Sequence, residues 1–238
     1  MLIRSEALVL AVISYNDSDA IVKTYTAETG FAAFYIKGFF KGKKARQKKA
    51  IFQPNALIEI QFAYKNKDGL SYVKEAGLIY HYKHLNYDFD KLNVSTFLRE
   101  VLLESLKNEQ ADTDLFQFIK QKFIALDQQK FEANFHLFFL VELMQKLGFS
   151  PDLGTKGRFF DLMNGQFIDN LPLGPYLKEE ESALFKYVLG MIFASKKDMK
   201  LAQGQRKTVL DSLMKYYAQH IAQFKIPKSL AVFNQLYE

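Results

Sequence analysis

The sequence contains no cysteine. Disulfide bonds and thiolate metal sites are therefore excluded, which suits a reducing compartment. Long apolar runs are also missing: none, including residues 137–141, approaches the roughly 20 residues that a membrane-spanning helix needs. The N-terminal stretch carries Glu6 and no basic region beyond Arg4, so it predicts a strand and not a signal peptide. We expect a globular protein without a membrane span, located in the cytoplasm.

Recognisable catalytic motifs are absent as well. The chain has no GxSxG elbow, no HExxH helix and no GxxxxGK[ST] phosphate loop. The four histidines are His81, His84, His136 and His220. Only the first two are close in sequence, and no acid accompanies them at metal-ligand spacing. Asp161 and Asp169 lie in a glycine-rich region without a nucleophile or base nearby. The sequence therefore predicts no catalytic residue, no metal site and no cofactor.

Positive charge is concentrated in one place, residues 37–49 (KGFFKGKKARQKK), which we call the basic segment. It holds seven cations and no acid. Since the whole chain has a net charge of +6, the residues outside the basic segment are together nearly neutral. Phe39 and Phe40 lie inside it. Such a segment can neutralise phosphates while its rings stack on bases. The alternative is a solvated loop that only keeps the protein soluble.

The first 80 residues have the pattern of β-structure. Short segments rich in Val, Ile, Tyr, Phe and Thr predict five strands at residues 3–15, 21–27, 31–37, 56–64 and 70–80. A hairpin turn is predicted at residues 65–69, where Gly69 can take a positive φ. Five short strands indicate a small barrel of the OB type, and an SH3-like barrel would fit the strand count nearly as well.

Beyond residue 88 the apolar period changes to that of helices. Helices are predicted at residues 88–106, 114–126, 131–147, 179–194, 205–224 and 227–236. The first is capped by Asp88 or Asn86 and the second by Asp112 or Thr113. Residues 149–178 are rich in Gly and Pro, and Asn164-Gly165 predicts a two-residue hairpin turn there. The fold class is α+β: a barrel domain (1–80), then an α-helical domain (81–238) with a small β-hairpin insertion (149–178).

Several short motifs resemble one family. The run ETGFAAFYIKG, the basic segment, then FQPNALIEIQF and YVKEAGLI are similar to the N-terminal domain of the RecO family of bacterial DNA repair and recombination mediators. The matching positions are Gly30, Lys37, Gly38, Gln53, Pro54, Glu75 and Ala76. ELMQKLGFSPDL and IPKSLAVFNQLY resemble the family's LG(Y/F) helix end and its late Lys-Ser-Leu segment, with Lys228 and Ser229 in place. The resemblance extends over nearly the whole chain and depends on the order and spacing of these motifs.

The resemblance implies an OB-fold domain joined to a helical domain, acting on DNA without catalysis. Such a protein binds single- and double-stranded DNA, anneals complementary strands and works with the RecR ring. It helps to load RecA onto strands coated by single-stranded-DNA-binding protein, whose acidic C-terminal tail binds the helical domain. This role implies a cytoplasmic, nucleoid-associated location.

One departure from the family is clear. Many members carry four cysteines of a zinc element just after the LG(Y/F) helix end, whereas residues 150–175 have none here. We expect the hairpin to replace the metal by hydrophobic packing of Phe159, Phe160, Phe167 and Ile168.

Candidate site residues follow from charge and from the resemblance. The expected DNA contacts are Lys37, Lys41, Lys43, Lys44, Arg46, Lys48 and Lys49, with Phe39 or Phe40 stacking on a base. Arg4 and Lys23 are lesser candidates on the barrel. The candidates for binding the acidic tail are Lys120, Lys122, Lys130 and Arg206. A protein-interaction adaptor without intrinsic DNA binding remains the alternative.

Overall fold

The computed structural model describes residues 2–63, 70–195 and 199–236. By compactness the chain divides into two units, residues 1–130 and residues 131–238. The predicted strands and the first two predicted long helices fall in the first unit. The turn predicted at residues 65–69 lies outside the described residues.

The first unit begins with a closed five-stranded barrel. Its strands are β1 (Leu2–Ser14), β2 (Ala20–Thr26), β3 (Gly30–Ile36), β4 (Leu57–Ala63) and β5 (Ser71–Leu78). The order is β1-β2-β3-β5-β4, and β1 is long enough to pair with both β2 and β4. The β3–β5 pair is parallel and the others are antiparallel. The barrel confirms the predicted OB fold within an α+β chain.

Alternation of apolar and polar residues along the strands explains which side chains form the barrel core. In β4, Ile58, Ile60 and Phe62 are buried in the barrel core, whereas Glu59 and Gln61 lie on the outer face. The same period-two pattern places apolar side chains of β1, β2 and β3 inside. A register shift between Val9 and Ala11 interrupts the β1–β2 pairing.

The described residues of the first unit form three helices. They are α1 (Ala45–Ile51), α2 (Phe89–Leu106) and α3 (Thr113–Gln128). The side chains of Asp88 and Asp112 accept hydrogen bonds from the backbone N–H groups of Lys91 and Leu115, so both predicted caps are present. Helix α1 was not predicted. Its sequence, ARQKKAI, consists of good helix formers, and Lys48 and Lys49 in the last turn complement the helix dipole.

A buried carboxylate organises the connection from β5 to α2. Asp127 is fully buried and accepts hydrogen bonds from the backbone N–H groups of His84 and Leu85, each at 2.8 Å. The Tyr80 hydroxyl and the Lys83 N–H donate to the same carboxylate. Burial alone would raise the pKa of Asp127, but these hydrogen bonds lower it below its usual value.

In the part of the second unit that the structure describes, four helices combine with a small sheet. Its elements are α4 (Phe135–Lys146), β6 (Phe159–Asp161), β7 (Gln166–Ile168), β8 (Tyr176–Leu177), α5 (Glu179–Phe193), α6 (Gln203–His220) and α7 (Ser229–Leu236). Helix α4 begins four residues later than predicted, because residues 131–134 form a turn instead. Gly148 follows α4 with a φ of +80°, as expected of a residue that ends a helix.

The hairpin in residues 149–178 is confirmed, but its predicted two-residue turn is wrong. Residues 162–165 connect β6 to β7, and Gly165 has a φ of +65°. The third strand, β8, pairs with β6 and was not predicted. Phe160 is fully buried in this sheet, and its ring packs against Phe167, Phe185 and Tyr216. Within the described part of the chain, no helix is both long and apolar enough to span a membrane.

Candidate nucleic-acid interface

The basic segment is anchored to the barrel at both ends by phenylalanine. Phe39 near its start and Phe52 just after its end are 5% and 3% exposed and belong to the barrel core. Phe40 and Ile51 pack partly against the same core. The residues between them form a turn followed by α1, which has no buried residue. The cations are therefore carried on a short ordered projection, of which the second half is helical.

A carboxylate in the turn between β1 and β2 holds the start of the segment. Asp19 accepts hydrogen bonds from the Gly38 N–H at 2.7 Å and from the Tyr35 hydroxyl. Asn16 and Ser18 also donate to it. The Tyr35 hydroxyl, followed by the Gly38 N–H, lowers the pKa of Asp19 well below its usual range.

The seven cations differ in how they are engaged. Lys48 donates to the Lys37 carbonyl, and Lys41 is paired with the exposed Asp17 at 3.4 Å. The Lys49 ammonium lies 5.7 Å from the centre of the Phe40 ring. The remaining four side chains are exposed and have no carboxylate within ion-pair distance among the residues that the structure describes: Lys37, Lys43, Lys44 and Arg46. These four are the most available to phosphates.

The two phenylalanines of the segment have different environments. The ring of Phe39 is enclosed in the barrel core and cannot stack on a base in this conformation. Phe40 is half-buried and contacts Phe39 edge to face, with ring centres 4.9 Å apart. Of these two residues, Phe40 is therefore the one that remains a candidate for stacking on a base.

The two lesser candidates on the barrel also differ. Arg4 forms an ion pair with Glu59, which raises the pKa of Arg4, and Glu75 lies in the same depression. Two carboxylates beside it make Arg4 a poor phosphate contact. Lys23 lies on the outer face of β2 and is half-buried. It is two residues from Ile21, which pairs with Tyr35 on β3.

Three tyrosines on the barrel surface were missed by sequence reasoning. The ring of Tyr35 makes edge-to-face contacts with Tyr15 and Tyr72, at centre distances of 5.6 and 5.7 Å. Tyr15 and Tyr72 are 59% and 58% exposed. Tyr35 and Tyr72 are partners in the parallel β3–β5 pair. No local pattern could have found this row, because the barrel brings together residues far apart in sequence.

The four candidates for tail binding fall in both units. In the first unit, Lys120 pairs with both oxygens of Glu6 at 2.7 Å, so its ammonium is already engaged. The Lys122 ammonium lies 5.6 Å from the centre of the Phe118 ring, and Lys130 is exposed.

In the second unit, Arg206 lines a cavity whose walls include Leu210, Phe233 and His136, with Lys207 beside it. His136 is buried, which lowers its pKa to about 3, so the cavity wall is neutral there.

One of the acids considered for catalysis, Asp161, has structural partners. Asp161 accepts hydrogen bonds from Met163 and Asn164 within the β6–β7 connection. Across residues 2–63, 70–195 and 199–236, there is no group of three or more His, Cys, Asp or Glu that could hold a metal ion.

Comparison with known proteins matches both parts of the chain. Residues 1–82 match the family described as Recombination protein O N terminal, and residues 86–230 match Recombination protein O C terminal. Proteins named DNA repair protein RecO from Christiangramia forsetii and Flavobacterium psychrophilum are each 33% identical to this chain over 238 residues. The one from Phocaeicola vulgatus is 32% identical over 241 residues. All three alignments cover both chains completely. The chain therefore belongs to the RecO family of DNA repair and recombination proteins.

Proposed function

We propose that the protein is a recombination mediator that binds single- and double-stranded DNA, anneals complementary strands and cooperates with RecR. In this role it helps RecA to replace single-stranded-DNA-binding protein on coated strands. The observation that carries the proposal is the basic segment: seven cations without an acid, held on an OB barrel at both ends.

The chemistry of annealing needs no catalytic group. Two DNA strands repel each other through their phosphates, and a cationic surface that neutralises both lowers the barrier to pairing while base edges stay accessible. Lys37, Lys43, Lys44 and Arg46 suit this purpose because their charges are exposed and have no carboxylate partner among the described residues. Lys41, Lys48 and Lys49 can join them after small side-chain rotations.

The test is the salt dependence of DNA binding. We expect the variant Lys43→Ala/Lys44→Ala/Arg46→Ala to bind labelled single strands and duplexes more weakly. Its log–log salt slope should fall by about 0.7 per lost contact on single strands and about 0.9 on duplex. Fluorescence anisotropy titrations at several salt concentrations measure both quantities. Alanine is a good helix former, so α1 should be retained.

The matched control removes three exposed lysines of the second unit, Lys146→Ala/Lys156→Ala/Lys200→Ala. It changes the net charge equally and should leave the slope unchanged. An unaltered slope in the basic-segment variant, or an equal loss in the control, would contradict DNA binding through this segment. A protein that shows no DNA affinity at moderate salt would favour the adaptor role instead.

We propose the cavity beside Arg206 as the binding site of the acidic tail. An acidic peptide that ends in an apolar residue needs an apolar hollow with cations at its rim. Leu210 and Phe233 supply apolar walls, and Arg206 and Lys207 supply positive charge. Arg206→Ala should weaken binding of the tail peptide, whereas Lys120→Ala should not, because Lys120 is paired with Glu6. Equal effects of the two variants in a peptide titration would refute this assignment.

A further inference from the structure

The outer surface of the barrel carries a row of aromatic rings formed by Tyr15, Tyr35 and Tyr72. Tyr15 lies just after β1, Tyr35 lies on β3 and Tyr72 lies on β5. Their edge-to-face contacts link the three rings into one continuous surface. Edge-to-face pairs stabilise each other, and cross-strand aromatic pairs also stabilise a sheet. More than half of the surface of Tyr15 and of Tyr72 is nevertheless exposed to solvent.

The row is physically joined to the basic segment. The Tyr35 hydroxyl and the Gly38 N–H donate to the same carboxylate, that of Asp19. The Tyr15 N–H donates to the Asp19 carbonyl at 3.0 Å, and the Phe40 N–H donates to the Ser18 carbonyl at 2.8 Å. The turn between β1 and β2 therefore fixes the rings and the first cations of the segment relative to each other.

The charges around the row suit a polyanion. Asp19 is buried, and its carboxylate is occupied by hydrogen bonds, while the exposed Asp17 of the same turn is paired with Lys41. Lys23 lies on the same outer face of β2 as Ile21, the neighbour of Tyr35. Aromatic rings with cations beside them are the combination that binds single strands, because bases stack on rings while phosphates contact cations.

We propose that Tyr15, Tyr35 and Tyr72 form a stacking platform for unpaired nucleobases. A single strand would place successive bases on the platform and its phosphates along Lys37, Lys43 and Lys44. A duplex cannot use the platform in this way, because its bases are stacked on each other. The platform thus gives the barrel a preference for single strands, whereas the basic segment holds both forms. This inference rests on the proposed DNA binding.

The experiment compares a normal single strand with an abasic one. The probes are a labelled oligothymidylate of about 16 nucleotides, the upper size for one OB fold, an abasic deoxyribose-phosphate chain of equal length, and a duplex. For Tyr15→Ala/Tyr72→Ala we expect a Kd for oligothymidylate about tenfold higher than that of the unaltered protein. The Kd for the abasic chain and for duplex should stay unchanged, as should the salt slope, since no cation is removed.

Two further variants separate stacking from folding. Tyr15→Phe/Tyr72→Phe keeps both ring faces and should bind oligothymidylate as the unaltered protein does. Tyr87→Ala removes a tyrosine that is 85% exposed elsewhere in the first unit and should have no effect. Unchanged duplex binding shows that the alanine variant has kept its barrel.

A second measurement uses the unaltered protein. A single strand that carries iododeoxyuridine forms crosslinks on irradiation with rings on which the base stacks, and the crosslinked peptides can be mapped. Crosslinks at Tyr15, Tyr35 or Tyr72 support the platform. Crosslinks confined to other residues, or an oligothymidylate Kd that does not change in the alanine variant, would overturn it. In that case, a salt slope that still depends on Lys43, Lys44 and Arg46 would leave the proposed DNA binding standing.

Discussion

The backbone N–H of Gly38 donates a hydrogen bond of 2.7 Å to the carboxylate of Asp19. This contact joins the start of the basic segment to the turn between β1 and β2. The same carboxylate accepts from the Tyr35 hydroxyl, which raises the pKa of Tyr35 to about 12. One buried acid thus organises the cationic segment and the aromatic row together.

Asp19→Asn should destabilise the protein in a pH-dependent way. The pKa of Asp19 is lowered in the folded state, so its contribution is complete above the ordinary value of 3.8 and is lost progressively as the pH falls from there through the lowered pKa of the folded state. We expect the variant to melt at a lower temperature at about pH 7 and the difference to narrow by about pH 3. Thermal unfolding followed by circular dichroism measures this. Asp17→Asn, an exposed carboxylate of the same turn, is the control, and a difference that does not vary with pH would argue against the role given to Asp19.

Asp19→Ala should also weaken DNA binding without changing its salt dependence. All cations remain, so the number of phosphate contacts is unchanged, but the loosened segment must be ordered on binding. Anisotropy titrations should give parallel log–log lines, with that of the variant shifted to weaker affinity. A reduced slope would mean that Asp19 determines which cations reach the phosphates and not only how firmly they are held.

Asp127→Ala should destabilise the first unit by about 3 kcal/mol or more, because it leaves several donors without an acceptor, among them the buried N–H of Leu85. The affected donors are those of His84 and Leu85, together with the Tyr80 hydroxyl. Urea unfolding followed by circular dichroism gives the free energy. Gln121→Ala, an exposed substitution on the same helix, should change it by less than about 0.5 kcal/mol. Equal effects would show that the buried hydrogen bonds are dispensable.

Gly30→Ala should be strongly destabilising. Gly30 has a φ of +71°, and a Cβ there would lie 2.6 Å from the backbone of Glu109 and Gln110. The left-handed conformation alone costs an ordinary residue about 1–2 kcal/mol, and the contact with rigid backbone adds to that. Gly77→Ala, in β5, has no atom within 4 Å of the new Cβ and no positive φ. Urea unfolding should show a large loss for the first variant and almost none for the second.

Phe160→Ala should destabilise the second unit by about 3–5 kcal/mol, because a fully buried ring is removed. Phe159→Ala, at a half-buried neighbouring position, should cost clearly less.

We expect a metal chelator to leave the melting temperature of the unaltered protein unchanged, since packing of Phe160 against Phe167 and Phe185 would hold this sheet without zinc. A chelator-induced fall in melting temperature would contradict that expectation.

Much of the secondary structure was predictable because its causes are local. Alternation of apolar residues predicted β4, and the Asp88 and Asp112 caps set the starts of α2 and α3. Helix α1 was missed because the density of charge in the basic segment suggested a loop, although its residues favour a helix. The turn after β6 was misjudged because Asn164-Gly165 is a common two-residue turn, whereas here the pairing of Asp161 with Gln166 requires four connecting residues.

The candidate site, too, was predictable from the sequence only in part. The position of the cations was evident from composition, since seven of them fall within residues 37–49. Which of them are engaged was not evident. The pairing of Lys41 with Asp17 and of Arg4 with Glu59 depends on which strands are neighbours.

The sequence by itself determined where the positive charge lies, where most of the strands and helices form, and the family to which the chain is similar. These properties depend on the order of nearby residues. Only the tertiary structure decided that Phe39 is a core anchor, that Asp19 holds Gly38, and that Tyr15, Tyr35 and Tyr72 meet. The reason is physical: closing the barrel pairs β3 with β5, and that long-range pairing creates surfaces that no local pattern contains.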